Sequence, residues 1–196
     1  LGTFLLWFGW FGFNGFSQLA MGTFDDVNAI SKIAVNTHLA GAAGTFAGAA
    51  ITRLLGGKTD IVMMLNGALA GLVAITAEPL TPTPGMAIVI GAIGAIIMYF
   101  GTKMLESFGI DDVVGAIPVH MFAGIFGTLV VPVTNTGTSF GSQFLGTISI
   151  CAFSFILSYI VFSAMKATIG LRISKEAEKL GTDKAEIGVT AYAIRD

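Results

Sequence analysis

Six long apolar stretches follow one another along the chain, separated by short polar connections. They lie approximately at residues 1–21, 31–52, 61–77, 85–102, 113–133 and 140–164. A helix needs about 20 mostly apolar residues to cross the hydrocarbon core of a bilayer. The pattern therefore predicts an all-α polytopic membrane protein. It would be a bundle of six transmembrane helices at residues 1–165, followed by a charged tail at residues 166–196.

The composition agrees with a membrane protein and excludes several other classes. Of the 196 residues, 54% are hydrophobic and 11% are charged, whereas a soluble domain has about 25% charged residues. The single cysteine, Cys151, excludes an internal disulfide and a cysteine-rich metal site. No nucleophile–base pair, metal cluster, cofactor motif or nucleic-acid motif is evident, which argues against an enzyme, a cofactor and a nucleic-acid partner.

Glycines recur at helical spacing in two of the stretches. Gly41, Gly44 and Gly48 share one face of the second stretch, and Gly67 and Gly71 form a similar pair in the third. Small residues at this spacing let helix backbones approach closely in a membrane. We therefore expect these glycines to form a packing seam.

The basic residues of the connections predict the orientation of the bundle. Arg53, Lys58 and Lys103 lie on the same side as the charged tail, whereas the opposite side carries only Lys32. Lysine and arginine concentrate on the cytoplasmic side of membrane proteins. We therefore expect a multi-pass protein of the cell membrane with a cytoplasmic C-terminus. The outer side would carry acidic residues that mildly favour cations: Asp25, Asp26 and Glu78.

One histidine lies deep in an apolar region of the chain. His120 follows Asp111 and Asp112, and no Asp, Glu, Lys or Arg occurs between Asp112 and Lys166. An ionisable group at membrane depth is costly and therefore marks a candidate functional site. The alternative is a neutral imidazole hydrogen-bonded between packed helices. Pro118 removes a backbone donor just before this histidine and is expected to kink the helix.

The first stretch combines aromatic residues with glycines. From Trp7 to Ser17 the two types alternate, and Asn14, Ser17 and Gln18 are its strongly polar members. The block fits either an aromatic belt at the membrane interface or the lining of a pore or vestibule. A second histidine, His38, is interpreted mainly as a structural residue, with lining of a path as the alternative.

Together these features predict a channel or transporter for a small substrate. A permanently charged ion would need carbonyl or carboxylate groups to replace its hydration shell, and none is evident in the apolar core. A neutral weak base such as ammonia fits better. Its cation could be recognised by aromatic faces outside, lose a proton, and pass a buried histidine that hydrogen-bonds the neutral form.

Three motifs are similar to those of one known family. They are Trp10–Asn14, Asn66–Thr76 and Asp111–His120. In their order and spacing the sequence resembles the ammonium transporter family, Amt/Mep/Rh, and specifically its Amt branch. The resemblance extends to about Tyr192. It covers the second half of a family member, helices six to eleven of an eleven-helix fold. Because Leu1 already reads as the interior of a helix, with no signal peptide before it, we expect the natural protein to begin earlier.

The resemblance implies roles for individual residues. His120 resembles the second histidine of the twin-histidine pair in the pore, and Phe13 resembles one of two stacked phenylalanines that gate it. Trp10 resembles a pore-lining tryptophan, and Ser17 would belong to the external ammonium recruitment site. The partner histidine, the other gate phenylalanine and a key aspartate are expected from the family's first half, so six helices alone should not make a complete pore.

Five further residues receive less specific roles from the matched motifs. Asn14, Asn66 and Thr76 occupy motif positions expected at or near the pore. Asp112, together with Asp111, would be a structural carboxylate at a helix end. The resemblance implies no metal ligand and no cofactor.

The chain departs from the family at three positions. Phe16 stands where a small residue usually precedes the recruitment-site serine, so its ring could reshape that site. Met121 follows His120 where smaller residues are common. In the tail, residues 181–192 resemble the family's cytoplasmic tail, but Ile187 stands where histidine is typical. In the family this tail contacts the neighbouring subunit of a homotrimer, and a PII-type signal protein can dock on the same face, so the resemblance implies both for this chain. A solvated charged terminus is the alternative.

The leading functional prediction is ammonium or ammonia transport across the membrane. Ammonium would be recruited outside, deprotonated, and conducted through a hydrophobic pore that contains His120. The alternative is an Amt-like ammonium sensor, coupled to a fused cytoplasmic signalling domain and binding ammonium with little or no transport. An Rh-like gas channel is disfavoured because Asp111 to His120 matches the Amt pattern. The expected partners are ammonium or ammonia, membrane lipid and further copies of the chain.

Overall fold

The computed structural model describes residues 1–191 and contains helices and connections, with no strand among those residues. The end of the predicted tail, Tyr192 to Asp196, lies outside the described residues. The chain divides into two compact units, Leu1–Thr147 and Ile148–Asp196. The boundary between the units falls inside a helix.

All six predicted helices are present in the structure. The first unit contains α1 (Gly2–Gly15), a 3-10 turn (Phe16–Gln18), α2 (Phe24–Gly56), α3 (Ile61–Thr76), α4 (Pro84–Ser107), a π-helical segment (Ile117–Phe122) and α5 (Ala123–Thr134). Helix α6 (Phe140–Thr168) begins in this unit and ends in the second. The second unit also contains α7 (Lys175–Leu180) and a π-helical turn (Asp183–Ile187).

Four of these helices are long and apolar enough to cross a membrane by length and composition. They are α2, α4, the continuous helix Ile117–Thr134 and α6. Helix α3 is apolar but shorter, with 16 residues, and α1 has 14 residues. The all-α membrane architecture predicted from the hydrophobic pattern is confirmed.

Helix α2 begins earlier than its apolar stretch indicates. The hydroxyl of Thr23 accepts a hydrogen bond from the backbone N–H of Asp26 at 3.1 Å, and the Asp26 carboxylate accepts one from the Thr23 N–H at 3.1 Å. This capping box starts the helix at Phe24. The expectation that Asp25, Asp26 and Lys32 form a polar connection was therefore wrong, because all three lie within α2.

Helix α4 likewise continues beyond its predicted end near residue 102. It ends at Ser107, and Lys103 and Glu106 form an ion pair of 2.9 Å on its exposed surface. Residues three apart are neighbours on a helix surface. Charged residues of this kind extend a helix past its apolar part, so polarity alone places the boundary too early.

Helices α2, α3 and α4 are held together by close contacts between their backbones. A Cβ added at Gly44 would overlap the carbonyl oxygen of Gly67, and one added at Gly71 or Gly91 would overlap that of Ala40. Glycine at these positions is required because any side chain would push the helices apart. The predicted glycine seam is confirmed between α2 and α3, and Gly91 adds a backbone contact between α4 and α2.

We expect Gly71→Ala to destabilise the bundle, because the new methyl group would meet backbone atoms that cannot move aside. Overpacking of this kind costs about 1–3 kcal/mol of the free energy of unfolding. Thermal denaturation of the purified intact protein in detergent measures the loss. The control is Gly146→Ala in α6, where the added Cβ has nothing within 4 Å. Equal melting temperatures for the two variants would contradict the seam.

Candidate functional site

A cavity of about 590 Å³ lies between α1, α3 and the helix that carries His120. Four of the predicted site residues line it and come from three separate parts of the chain: Trp10, Phe13, Thr76 and His120. Most of the remaining wall is apolar or small, with Leu5, Leu6, Gly9, Val73, Ala77 and Gly124, and Thr128 is its further polar member. The structure therefore brings together the candidate histidine and the candidate aromatic residues.

The indole N–H of Trp10 is already used inside the protein. It donates to the Thr76 hydroxyl at 2.7 Å, and that hydroxyl donates in turn to the carbonyl oxygen of Leu72 at 2.6 Å. The ring of Phe13 lies 6.1 Å from that of Trp10, with a tilt of 59°. Because the indole donor is occupied, Trp10 presents its ring to the cavity, beside the Phe13 ring, which is 67% exposed.

His120 projects into this cavity as an exposed side chain. The expectation of a buried histidine was therefore wrong for this chain, because the imidazole faces the open cavity and not a neighbouring helix. Within residues 1–191 no protein group hydrogen-bonds the imidazole. By contrast, the Thr128 hydroxyl donates to the Gly124 carbonyl at 3.0 Å, and the donors of Trp10 and Thr76 are occupied as described. His120 is thus the cavity side chain whose hydrogen-bond donor has no partner within the described residues.

The start of the helix that carries His120 is fully capped. The two carboxylate oxygens of Asp112 accept hydrogen bonds from the N–H groups of Ala116 and Ile117, at 2.9 and 2.8 Å. The N–H of Val119 donates to the carbonyl of Gly115 at 3.1 Å. Pro118 lies between them and has no N–H to satisfy. Pro118 was expected to kink the helix, but it lies in the first turn of that helix. Proline is well accommodated there, because its missing N–H would have no partner within the helix.

Two of the predicted site residues do not line the cavity, because their amide groups bind elsewhere. Asn14 is buried between α1 and α2, where its amide donates to the Thr37 hydroxyl at 3.0 Å. Asn66 donates to the carbonyl of Val114 at 2.9 Å, in the connection that precedes the His120 helix. Both amides hold elements together, and neither is available to a substrate in this cavity.

The 3-10 turn beyond α1 carries the residue predicted for substrate recruitment. The hydroxyl of Ser17 donates to the Phe13 carbonyl at 3.2 Å, and the side chain is exposed. Ser17 therefore lies one turn beyond Phe13 and outside the residues that line the cavity. Asp111 is exposed beside the capping residue Asp112.

Phe16 points away from the cavity. Its ring lies 3.6 Å from the position of a Cβ on Gly12 and lines a separate apolar pocket with Phe11, Leu19 and Ile30. The ring therefore does not narrow the space beside His120. His38 also lies elsewhere, with its ring 5.5 Å from that of Trp7 and 6.2 Å from that of Phe11.

The sequence reasoning missed two features of this region. Gly124 and Thr128 line the cavity with His120, and their spacing of four and eight residues from it was a usable signal. Glu78 was interpreted only as an outer acidic residue. Its carboxylate accepts hydrogen bonds from the N–H groups of Leu80 and Thr81, at 3.2 Å each, and from the Asn135 amide at 2.8 Å. It thereby ties the α3–α4 connection to the end of α5.

No metal site is evident among the described residues, since they contain no group of three or more His, Cys, Asp or Glu side chains arranged to hold an ion. The residues that line the cavity make it an apolar and aromatic chamber, and its one titratable side chain is His120. Such a chamber favours small, neutral or weakly hydrated molecules over strongly hydrated ions.

The chain matches the Ammonium Transporter Family over residues 1–192. It is 42% identical to the ammonium transporter Amt2 of Archaeoglobus fulgidus, over 98% of this chain and 44% of that protein. It is 40% identical to a putative ammonium transporter of Synechocystis, over 99% of this chain and 45% of that protein.

Two solved structures share the fold at substantial sequence identity. A structure described as a sensor Amt protein matches with a TM-score of 0.86 and 35% identity, over 94% of this chain and 47% of that one. Candida albicans Mep2 matches with a TM-score of 0.81 and 29% identity, over 95% of this chain and 45% of that one. The chain thus spans less than half the length of these relatives.

We expect Thr76→Val to destabilise the protein, because it removes the hydroxyl while keeping the shape of the side chain. The Trp10 N–H would then lose its partner, at a cost of about 1–2 kcal/mol. The free energy of unfolding of the purified intact protein measures this cost. Thr76→Ser retains the hydroxyl and is the matched control. A valine variant as stable as the serine variant would show that the bond contributes nothing.

Proposed function

This chain belongs to the ammonium transporter family, and from that premise we propose that the protein containing it conducts ammonia derived from ammonium across the membrane. The cavity beside His120 would form part of the pathway. The observation that carries the proposal is the free imidazole of His120 in a cavity whose other polar donors are occupied.

The cavity walls favour passage of the neutral form of the substrate. Ammonium would first be stabilised outside, where the Ser17 hydroxyl can accept a hydrogen bond and aromatic faces attract a cation. Deeper in, Trp10 and Phe13 present ring surface and the aliphatic residues offer nothing to replace the hydration of a charge. Loss of a proton therefore precedes passage, and His120 supplies the hydrogen bond that ammonia needs.

We also propose the arrangement of the chain in the membrane. Residues 1–165 would form the transmembrane domain, as helices six to eleven of an eleven-helix fold, and residues 166–196 a cytoplasmic tail. The excess of lysine and arginine on the tail side supports this orientation in the cell membrane. The apolar helix α6 has no buried residue, which supports contact with lipid or further protein. We further propose that the protein assembles as a homotrimer. A PII-type protein or a fused signalling domain would lie at the cytoplasmic face.

We expect His120→Ala to change ammonium conduction, or its selectivity over K⁺, by roughly tenfold, which is the scale of one hydrogen bond to a reacting group. The measurement is ammonium-evoked current and uptake in liposomes that contain the intact protein, with methylammonium as competitor. The control is His38→Ala, because that ring packs on Trp7 outside the cavity. Wild-type conduction and selectivity in the His120 variant would remove His120 from the mechanism.

We expect Phe16→Ala to leave ammonium flux within about twofold of wild type, because the ring faces a different pocket. Phe13→Ala should alter flux, since that ring lines the cavity. The same liposome assay compares the two variants. A large effect of the Phe16 substitution, equal to that of Phe13, would show that both rings act on one pathway.

The alternative function is ammonium sensing. It is supported by the likeness to the sensor Amt protein, with a TM-score of 0.86 over 94% of this chain. A sensor would bind ammonium in the aromatic chamber and transmit a change of conformation to a cytoplasmic partner. Saturable ammonium binding by the intact protein, without current or uptake in liposomes, would identify the sensor. Saturable uptake identifies the transporter.

A further inference from the structure

The helix that carries His120 contains one wide turn. In the π-helical segment Ile117–Phe122 the N–H of Ala123 donates to the carbonyl of Pro118, five residues earlier. A π turn accommodates one more residue than an α turn and often occurs at functional sites. The turn lies directly at His120.

The wide turn changes the direction in which His120 points. In a regular α-helix, residues eight apart are separated by about 80° around the axis, so Thr128 would lie near the edge of a face centred on His120. One extra residue in a turn reduces this angle by roughly 100°. His120, Gly124 and Thr128 consequently lie along one strip of the helix and line the same cavity. Without the π turn, the imidazole would rotate toward the edge of that strip.

Contacts on both sides hold the turn in place. At its end, the ring of Phe122 occupies the space where a Cβ on Gly101 of α4 would lie. Before it, the Asn66 amide of α3 donates to the Val114 carbonyl at 2.9 Å. Gly115 has a φ of +73°, and a Cβ there would lie 2.7 Å from the Asn66 amide nitrogen. Asn66 and Gly115 therefore fit closely where the His120 helix begins.

We propose that Asn66 is a positioning residue for His120. By holding the Val114 carbonyl against α3, its amide fixes where the capped helix starts, and the π turn then directs the imidazole into the cavity. Asn66 itself does not line the cavity and acts through His120. The inference rests on the proposed function for its transport test, but the position of the imidazole can also be measured without transport.

The first test is a double-mutant cycle on ammonium flux in liposomes that contain the intact protein. Asn66→Ala should lower maximal flux roughly fivefold, the scale of one lost hydrogen bond, with little change in the ammonium concentration at half-maximal flux. In a His120→Ala background the same substitution should have no further effect, because residues that act as a unit are not additive. Multiplying effects, or no effect of Asn66→Ala alone, would overturn the positioning role.

The matched control is Asn135→Ala. The Asn135 amide also donates one hydrogen bond, at 2.8 Å to Glu78, but at the opposite end of the same helix. Its effect on flux, if any, should be the same in both His120 backgrounds. Coupling of Asn135 to His120 as strong as that of Asn66 would show a general loss of stability and would count against the proposal.

The second test is independent of transport and follows the reactivity of His120 with diethylpyrocarbonate, resolved by peptide mass spectrometry. Asn66→Ala should change the modification rate of His120 by roughly fivefold while His38 keeps its rate. Asn66→Gln retains the amide donor and should restore part of the difference. An unchanged His120 rate overturns the inference. A changed rate together with normal flux in His120→Ala instead overturns the proposed function and leaves the positioning role intact.

Discussion

The close backbone contact of α2, α3 and α4 is the constraint on which the site depends. Gly44 and Gly71 bring α2 and α3 into backbone contact, Gly91 does the same for α4 and α2, and Gly94 brings α4 against Ala70 and Ala74 of α3. Helix α3 is therefore fixed against both neighbours. Helix α3 then holds a site element at each end. Asn66 near its start binds the connection before the His120 helix, and Thr76 at its end binds Trp10. These residues are about 15 Å apart along the helix axis, and this length sets the separation of the two contacts.

Because α3 is apolar except at a few positions, each polar side chain on it has a defined partner. The Thr76 hydroxyl bonds Trp10 and its own backbone, and the Asn66 amide donates to Val114. In an apolar environment an unpaired donor is costly, so these bonds define one arrangement of the surrounding elements. Because the other polar donors are bonded within the protein, the cavity presents aromatic rings, aliphatic surface and the free imidazole of His120.

The hydrophobic pattern predicted the six helices, and the isolated position of His120 predicted its place in the site. Trp10, Phe13 and Thr76 were also predicted from the motifs, and they line one cavity with His120. The capping box at Thr23 was missed, because a polar helix start resembles a connection when only hydropathy is considered. The outward direction of Phe16 could not be predicted either, since it depends on how α1 is rotated against α2.

The wide turn at His120 shows why the rest of the site needed a structure. A sequence with His120, Gly124 and Thr128 at four-residue spacing fits one face of an α-helix only approximately, with a drift of about 40° at each step. Val119, Ala123, Gly127 and Val131 repeat this spacing on the buried face. Two parallel strips with a period of four favour a helix that is locally unwound. The signal was therefore present in the sequence, but the place where the unwinding occurs is set by contacts with Gly101 and Asn66, which are distant in the chain. Tertiary contacts thus select one wide turn among several that the spacing permits, and that selection directs the imidazole into the cavity.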